Sequence, residues 1–146
     1  MIIGLTGKSC SGKNYVGDIL RSMGLEVWDA DELCHKGLSV NFQAIIAEFG
    51  EQVVVRNSDG CELSRPALGK IVFSNPKRRE ALEGILYPWL RKLVLDWKKA
   101  NPDGILVLNG ALLYRAGFCE ICDCMIYVDA SYAVRLSRAV ERDGID

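Results

Sequence analysis

Residues able to bind phosphate lie close to the amino terminus. Gly7, Gly12 and Lys13 have the spacing G-x-x-x-x-G-K within the stretch GKSCSGKNY. In such a loop, glycines let backbone N–H groups approach an oxyanion closely, and the lysine adds a mobile positive charge. An apolar run precedes the loop and a helical pattern follows it, which is the context the motif requires. The motif predicts a site for nucleotide phosphates, formed by Cys10, Ser11, Gly12, Lys13, Asn14 and Tyr15.

The residue after the lysine bears on metal binding. Loops of this kind usually carry a serine or threonine there, whose hydroxyl ligates Mg²⁺. Here the residue is Asn14. An amide oxygen can also ligate Mg²⁺, but the longer side chain places that oxygen differently. We therefore predict Asn14 as a poor Mg²⁺ ligand, with the ion held through water or mainly by the nucleotide.

A pair of carboxylates follows the second apolar run. Asp29 and Asp31 end the stretch LEVWDAD, which reads as a short strand. In open α/β sheets, ligands bind at the carboxyl ends of the strands. A carboxylate there can accept a proton from an attacking hydroxyl group, and the alternative role for either residue is to cap the next helix. We predict Lys13 and Asp31 as the catalytic residues.

The rest of the chain supplies the elements that position these residues. Strand, glycine loop, helix and strand form the βαβ opening of an α/β fold, and GILVLNG and DCMIYVDA read as further buried strands. Residues 32–100 read mainly as helices, with a break before Pro88 and a turn at Asp59-Gly60 that fits a small hairpin or an extended loop. We interpret them as a helical insertion, which carries the second substrate, within one domain of residues 1–146.

Composition excludes some partners. The formal net charge is −1, so no global field attracts the chain to nucleic acid. No apolar run approaches the ~20 residues needed to span a bilayer, and no basic segment precedes the first apolar run, so we expect a cytoplasmic protein. Cys119, Cys122 and Cys124 lie close together in the sequence; reduced thiols are our interpretation and a zinc site the alternative.

The order of the motifs resembles the dephospho-coenzyme A kinase family over essentially the whole chain. The stretches that carry the resemblance are IIGLTG, SGK, VWDADELCHK, LSRPALGKIVF, LYPWLRK, ILVLNGALLYRAG, DCMIYVDAS and RLSRAVERDG. That family transfers the γ-phosphate of ATP to the ribose 3′-hydroxyl of dephospho-CoA. The resemblance implies a three-layer P-loop kinase fold with a parallel sheet of the nucleoside monophosphate kinase type. It also implies ATP and Mg²⁺ as cofactors, Asp31 as the hydroxyl-activating carboxylate, and substrate contacts at Arg91 and Asn109.

The chain departs from the family pattern at several positions. Asn109 stands where the family has aspartate, Arg115 where it has glutamate, and Tyr87 where it has histidine before a proline. The family's lid arginines and last strand lie beyond Gly144, so we expect both to be missing, with Arg138 and Arg142 compensating at most in part. These departures favour an alternative, a nucleotide-binding relative with weak or no transfer. Another small-molecule P-loop kinase is a third possibility.

Overall fold

The computed structural model describes residues 1–57 and 60–144. The described chain combines helices with a parallel sheet, which confirms the predicted α/β class. The elements are β1 (Ile2–Gly7), α1 (Lys13–Ser22), β2 (Glu26–Asp29), α2 (Ala30–Val40), α3 (Phe42–Phe49), β3 (Val54–Asn57), β4 (Gly60–Leu63), α4 (Arg65–Ser74), α5 (Pro76–Ala100), β5 (Leu106–Asn109), β6 (Cys124–Val128) and α6 (Tyr132–Asp143).

The described residues form two compact units. The first contains the chain up to Asp31 and from Leu95 onward, and the second is Glu32–Val94. The second unit falls within residues 32–100, the region predicted as a helical insertion. Its role as an insertion into one kinase domain stays a prediction.

The first unit is built on a parallel sheet. Among the described strands, the order across this sheet is β2-β5-β1-β6, and every pairing is parallel. The central strands are apolar and fully buried, as at Leu5, Val107 and Leu108. Strands covered on both faces by helices require such continuous apolar runs, which is why the sequence pattern identified them.

The carboxyl ends of three strands lie side by side. Leu5 of β1 and Asp29 of β2 both pair in register with Asn109 of β5. Because Gly7 ends β1 two residues after Leu5, the glycine loop leaves the sheet beside Asn109. We call this side, where Gly7, Asp29 and Asn109 end their strands, the carboxyl edge.

Polar groups also lie at the opposite side, which we call the amino edge. The Ile2 N–H donates to Asp123 Oδ2 at 2.6 Å, and Lys98 Nζ donates to both carboxylate oxygens of Asp123, at 3.0 and 3.2 Å. The backbone hydrogen bond from Ile2 first, and then Lys98, lower the pKa of Asp123. At the first residue of β2, the Glu26 carboxylate accepts from the indole N–H groups of Trp28 and Trp97.

The helices that flank the loop have recognisable ends. Helix α1 is followed by Gly24, whose φ of 87° provides the left-handed residue that commonly ends a helix. Helix α6 begins after Ser131, whose Oγ accepts from the Val134 N–H at 3.4 Å. Both ends follow from the residue types, because capping depends on local chemistry.

The second unit has its own apolar core. Helices α2, α3, α4 and α5 contribute to one buried cluster, which consists of Leu38, Ile45, Phe49, Val53, Leu68 and Leu86. Strands β3 and β4 pair antiparallel as a hairpin, with Val54 opposite Leu63. The hairpin is therefore confirmed, whereas Asp59 of the predicted turn lies outside the described residues.

The predicted break before Pro88 is wrong. Helix α5 runs from Pro76 to Ala100 with Pro88 inside it. Leu86, Leu90 and Val94 are buried at four-residue spacing on both sides of the proline. Since tertiary packing supplies most of the stability of a protein helix, this buried stripe holds the helix together despite the missing N–H donor.

Candidate active site

The glycine loop is closely packed against the strand beside it. A Cβ atom on Gly7 would lie 2.3 Å from the Val128 carbonyl oxygen and 2.7 Å from Ser11 Oγ. Gly12 has a φ of 98° and Cys10 a φ of 60°, so the loop uses the left-handed region twice. Position 7 accepts only glycine because there is no room for a side chain, and position 12 favours glycine because of its backbone conformation.

The loop leads directly into the N-terminus of α1. Gly12 is the N-cap residue and provides no side chain to cap the helix, and the first turn carries no acidic residue. The first N–H groups of a helix have no intrahelical acceptor, and the helix dipole adds positive potential there. This end of α1 is therefore suited to bind an anion.

Three predicted site residues meet beside this helix end. Lys13 Nζ donates to Asn14 Oδ1 at 2.9 Å. The same oxygen accepts from Asn109 Nδ2 at 3.1 Å. Asn109 comes from β5 and Asn14 from α1, so this contact joins the sheet to the loop helix. The fold thus brings Asn109 into contact with Asn14 and Lys13, although it lies 95 or more positions away from them in the sequence.

Two buried oxygens at this edge lack partners. Asn109 and Ser11 are 5% and 4% exposed. Asn109 Oδ1 and Ser11 Oγ have no hydrogen-bond partner within residues 1–57 and 60–144. A buried polar atom without a partner costs free energy comparable to a lost hydrogen bond, so such atoms commonly mark functional positions.

The carboxylates Asp29 and Asp31 have separate positions. The Asp31 N–H donates to Asp29 Oδ1 at 2.9 Å, so Asp29 provides the capping interaction at the start of α2. Asp31 lies in the first turn of that helix and is exposed. The helix-capping role that the sequence left open belongs to Asp29, and the catalytic role of Asp31 stays a prediction.

An arginine from α6 also contacts the loop. Arg138 Nη1 donates to the carbonyl oxygens of Cys10 and Ser11, at 3.3 and 3.2 Å. A guanidinium here places positive charge at the loop and holds two of its carbonyl groups. The sequence suggested Arg138 only as a partial substitute for the lid arginines, because helical periodicity shows a helix face but not the loop that it contacts.

The remaining predicted residues are placed as follows. Tyr15 lies in the first turn of α1 and is 73% exposed. Arg91 lies on α5 within the second unit, and its contact with substrate stays a prediction. Asn14 Oδ1, the predicted poor Mg²⁺ ligand, already accepts from Lys13 and Asn109. Asn109 Oδ1 has no partner among the described residues and is an oxygen of the type that can face Mg²⁺ or a water bound to it, so the carboxyl edge fits this metal as a weak site.

The cluster of Cys119, Cys122 and Cys124 was the candidate for a zinc site. In the described part of the chain all six cysteines are free, and no group of three or more His, Cys, Asp or Glu side chains could hold a metal ion. Burial, followed by the negative charge of Asp123, raises the pKa of the Cys122 thiol to about 11. Cys122 is therefore protonated at neutral pH, which disfavours both metal binding and nucleophilic chemistry.

Comparison with known proteins agrees with this geometry. Residues 1–146 match the sequence model described as dephospho-CoA kinase (CoaE). This chain belongs to the dephospho-CoA kinase family. The predicted family and the predicted class of enzyme, a kinase, are confirmed. No helix in the described ranges is long and apolar enough to cross a membrane.

Individual dephospho-CoA kinases and solved structures are similar over the whole chain. The dephospho-CoA kinase of Moorella thermoacetica is 38% identical, and the alignment covers 97% of this chain and 69% of that protein. The crystal structure of TT1252 from Thermus thermophilus has a TM-score of 0.81 at 31% identity and covers 100% of this chain and 74% of its own. Dephospho-CoA kinase from Campylobacter jejuni has a TM-score of 0.60 at 20% identity and covers 99% of this chain and 97% of its own, which supports the P-loop kinase fold alone.

Proposed function

We propose that this chain transfers the γ-phosphate of ATP to the ribose 3′-hydroxyl of dephospho-CoA, giving CoA and ADP. The observation that carries the proposal is the arrangement at the carboxyl edge. There a glycine loop, an uncapped helix N-terminus and the Lys13–Asn14–Asn109 contact surround buried oxygens that lack partners. This combination is suited to hold a polyphosphate next to an acceptor hydroxyl.

Each residue has a role that its position allows. The loop N–H groups and Lys13 bind the β- and γ-phosphates; one N–H of the Lys13 ammonium stays on Asn14 Oδ1 while the others donate to phosphate oxygen. Asp31 accepts the proton of the 3′-hydroxyl as its oxygen attacks the γ-phosphorus. The bond from that phosphorus to the β–γ bridging oxygen then breaks, and ADP leaves. Arg91 binds dephospho-CoA, and Asn109 orients its ribose.

Magnesium and location complete the proposal. Mg²⁺ would be held mainly by the nucleotide and by water, with Asn14 at most a weak ligand because Lys13 and Asn109 already donate to its oxygen. When bound, it neutralises charge on the transferring phosphoryl group. The residues themselves supply positioning and a fixed positive environment, which account for most of the catalysis in phosphoryl transfer. We place the reaction in the cytoplasm.

The first test is formation of CoA from dephospho-CoA and Mg-ATP, measured by chromatography. Lys13→Ala is expected to lower kcat/KM by on the order of 10²–10³-fold, because a charge aimed at the transferred group is lost. Lys70→Ala removes an exposed lysine from α4 and serves as the matched control. Adenosine and AMP are supplied in parallel as competing acceptors.

Three results are informative. CoA formation that Lys13→Ala lowers by the expected factor and Lys70→Ala leaves intact supports the proposal. ATP binding that depends on Lys13 without CoA formation contradicts it and leaves a nucleotide-binding relative. Phosphorylation of AMP in preference to dephospho-CoA indicates a different small-molecule kinase.

A further inference from the structure

Two departures from the family pattern contact each other. Asn14 stands where such loops have a hydroxyl residue, and Asn109 stands where the family has aspartate. Sequence gives no reason to connect these positions, which are separated by 95 residues. In the structure, Asn109 Nδ2 lies 3.1 Å from Asn14 Oδ1.

Lys13 determines the orientation of both amides. An ammonium group can only donate, so the Asn14 atom that lies 2.9 Å from Lys13 Nζ must be the oxygen. The same oxygen faces Asn109, so Asn109 must present its NH₂ group to it. Asn109 Oδ1 is then the atom left without a partner, and Asn109 is only 5% exposed.

A carboxylate at position 109 does not suit this arrangement. It has no donor, so it would place a negative oxygen against Asn14 Oδ1. Asn14 would have to turn its NH₂ group toward the carboxylate and so withdraw its oxygen from Lys13. A hydroxyl at position 14, by contrast, can donate to a carboxylate, so the two departures are complementary only when they occur together.

We propose that Asn14 and Asn109 form one uncharged positioning pair that makes nucleotide binding by this chain weakly dependent on Mg²⁺. Asn109 fixes the Asn14 amide, and the Asn14 oxygen holds the Lys13 ammonium at the phosphate loop. Asn109 Oδ1 accepts a hydrogen bond from the bound ligand or from a water on its metal. Because position 109 carries no charge, it neither repels metal-free ATP nor attracts Mg²⁺ strongly.

The inference rests on the proposed function only in requiring that the loop bind ATP. We would therefore measure ATP affinity by calorimetry, without dephospho-CoA, in Mg²⁺ and in EDTA. The variants are Asn109→Asp, Asn14→Ser and the double variant. Asn109→Ser removes the amide without adding charge, and Gln43→Glu adds the same charge on an exposed position of α3.

We expect a nonadditive pattern. Each single variant weakens binding of Mg-ATP about tenfold, whereas the double variant recovers most of that loss, since contacting residues are energetically coupled. Asn109→Asp raises the ratio of affinities with and without Mg²⁺ about tenfold over the original chain, and the double variant keeps that higher ratio. Asn109→Ser weakens binding in both buffers and leaves the ratio unchanged. Gln43→Glu changes neither the affinity nor the ratio.

Two outcomes would overturn the inference. One is additivity, in which the double variant loses the product of the two single effects. The other is that Asn109→Asp leaves the ratio of ATP affinities with and without Mg²⁺ unchanged. Melting temperatures identify any variant that fails to fold, and in that case Asn109→Ser still tests whether Asn109 positions Lys13. Neither outcome depends on which acceptor the enzyme uses, so failure here is distinct from failure of the proposed reaction.

Discussion

At the amino edge of the parallel sheet the named polar groups have partners, whereas at the carboxyl edge two buried oxygens lack them. Asp123 accepts from Ile2 and from Lys98, and its carboxylate needs no further ligand. Asn109 Oδ1 and Ser11 Oγ at the other edge have no partner among the described residues. Both edges belong to one sheet, so the difference is not one of general packing quality.

The comparison sets exposed, partnered carboxylates at the amino edge against buried oxygens without partners at the carboxyl edge. A satisfied group stabilises the native state, because its hydrogen bonds are lost on unfolding. An unsatisfied buried group lowers stability, and in native proteins it commonly marks a place where a ligand, an ion or an ordered water completes the hydrogen bonds. On this basis the amino edge should affect stability and the carboxyl edge should affect ligand binding and turnover.

The largest expected effect on ATP affinity comes from Gly7→Ala. The added Cβ would lie 2.3 Å from a backbone carbonyl oxygen, that of Val128, which cannot move without shifting β6. We expect ATP affinity to fall on the order of 100-fold, from overpacking at the loop. Calorimetry on the folded fraction measures it. Gly84→Ala is the control, because a Cβ there meets nothing within 4 Å; an equal loss in that variant would contradict the explanation.

Asp31→Asn tests the chemistry at the same edge. The exposed amide keeps the shape but cannot accept the proton of the acceptor hydroxyl. We expect kcat for CoA formation to fall by about 10²–10⁴-fold while ATP affinity stays within about twofold of the original value. Asp103→Asn, also exposed, is the matched control. If kcat persists in Asp31→Asn, another group accepts the proton.

Arg138→Met should have a smaller effect. Methionine keeps much of the side-chain length but removes the donors to the Cys10 and Ser11 carbonyl oxygens. Because Arg138 is exposed and screened by solvent, we expect ATP affinity to fall only about threefold to tenfold. Arg21→Met removes an exposed arginine from α1 and serves as control. Unchanged affinity in Arg138→Met would show that the contact is incidental.

These sites also show what sequence can predict. The loop, the strands and the helix ends at Gly24 and Ser131 follow from residue types, because each depends on neighbours within a few positions. The uninterrupted helix through Pro88 did not follow, since packing on both sides of the proline decides it. The Asn14–Asn109 and Arg138 contacts were also missed as contacts, because they join residues about 95 or more positions apart that only the fold brings together.

The amino edge gives the smallest effect on activity and a distinct pH dependence. Asp123→Asn keeps an acceptor for Ile2 but removes the charge that faces Lys98. The pKa of Asp123 is lowered in the folded state, so its ionised form contributes stability above the unfolded-state pKa of about 3.9. That contribution is lost as the pH falls through the lower, folded-state pKa. At pH 7 the variant should therefore melt slightly lower, since the carboxylate is exposed and its ion pair is screened by solvent, while CoA formation at 25 °C is unchanged.

The difference between the two melting temperatures should then shrink as the pH is lowered below about 4, because protonation removes the same charge from the original chain. Melting curves from pH 7 to pH 3, with Asp103→Asn as a control, measure this convergence. A constant difference would mean that the substitution acts through packing rather than charge. A loss of CoA formation at 25 °C would contradict the assignment of stability to the amino edge and of turnover to the carboxyl edge, because it would connect Asp123 to the chemistry.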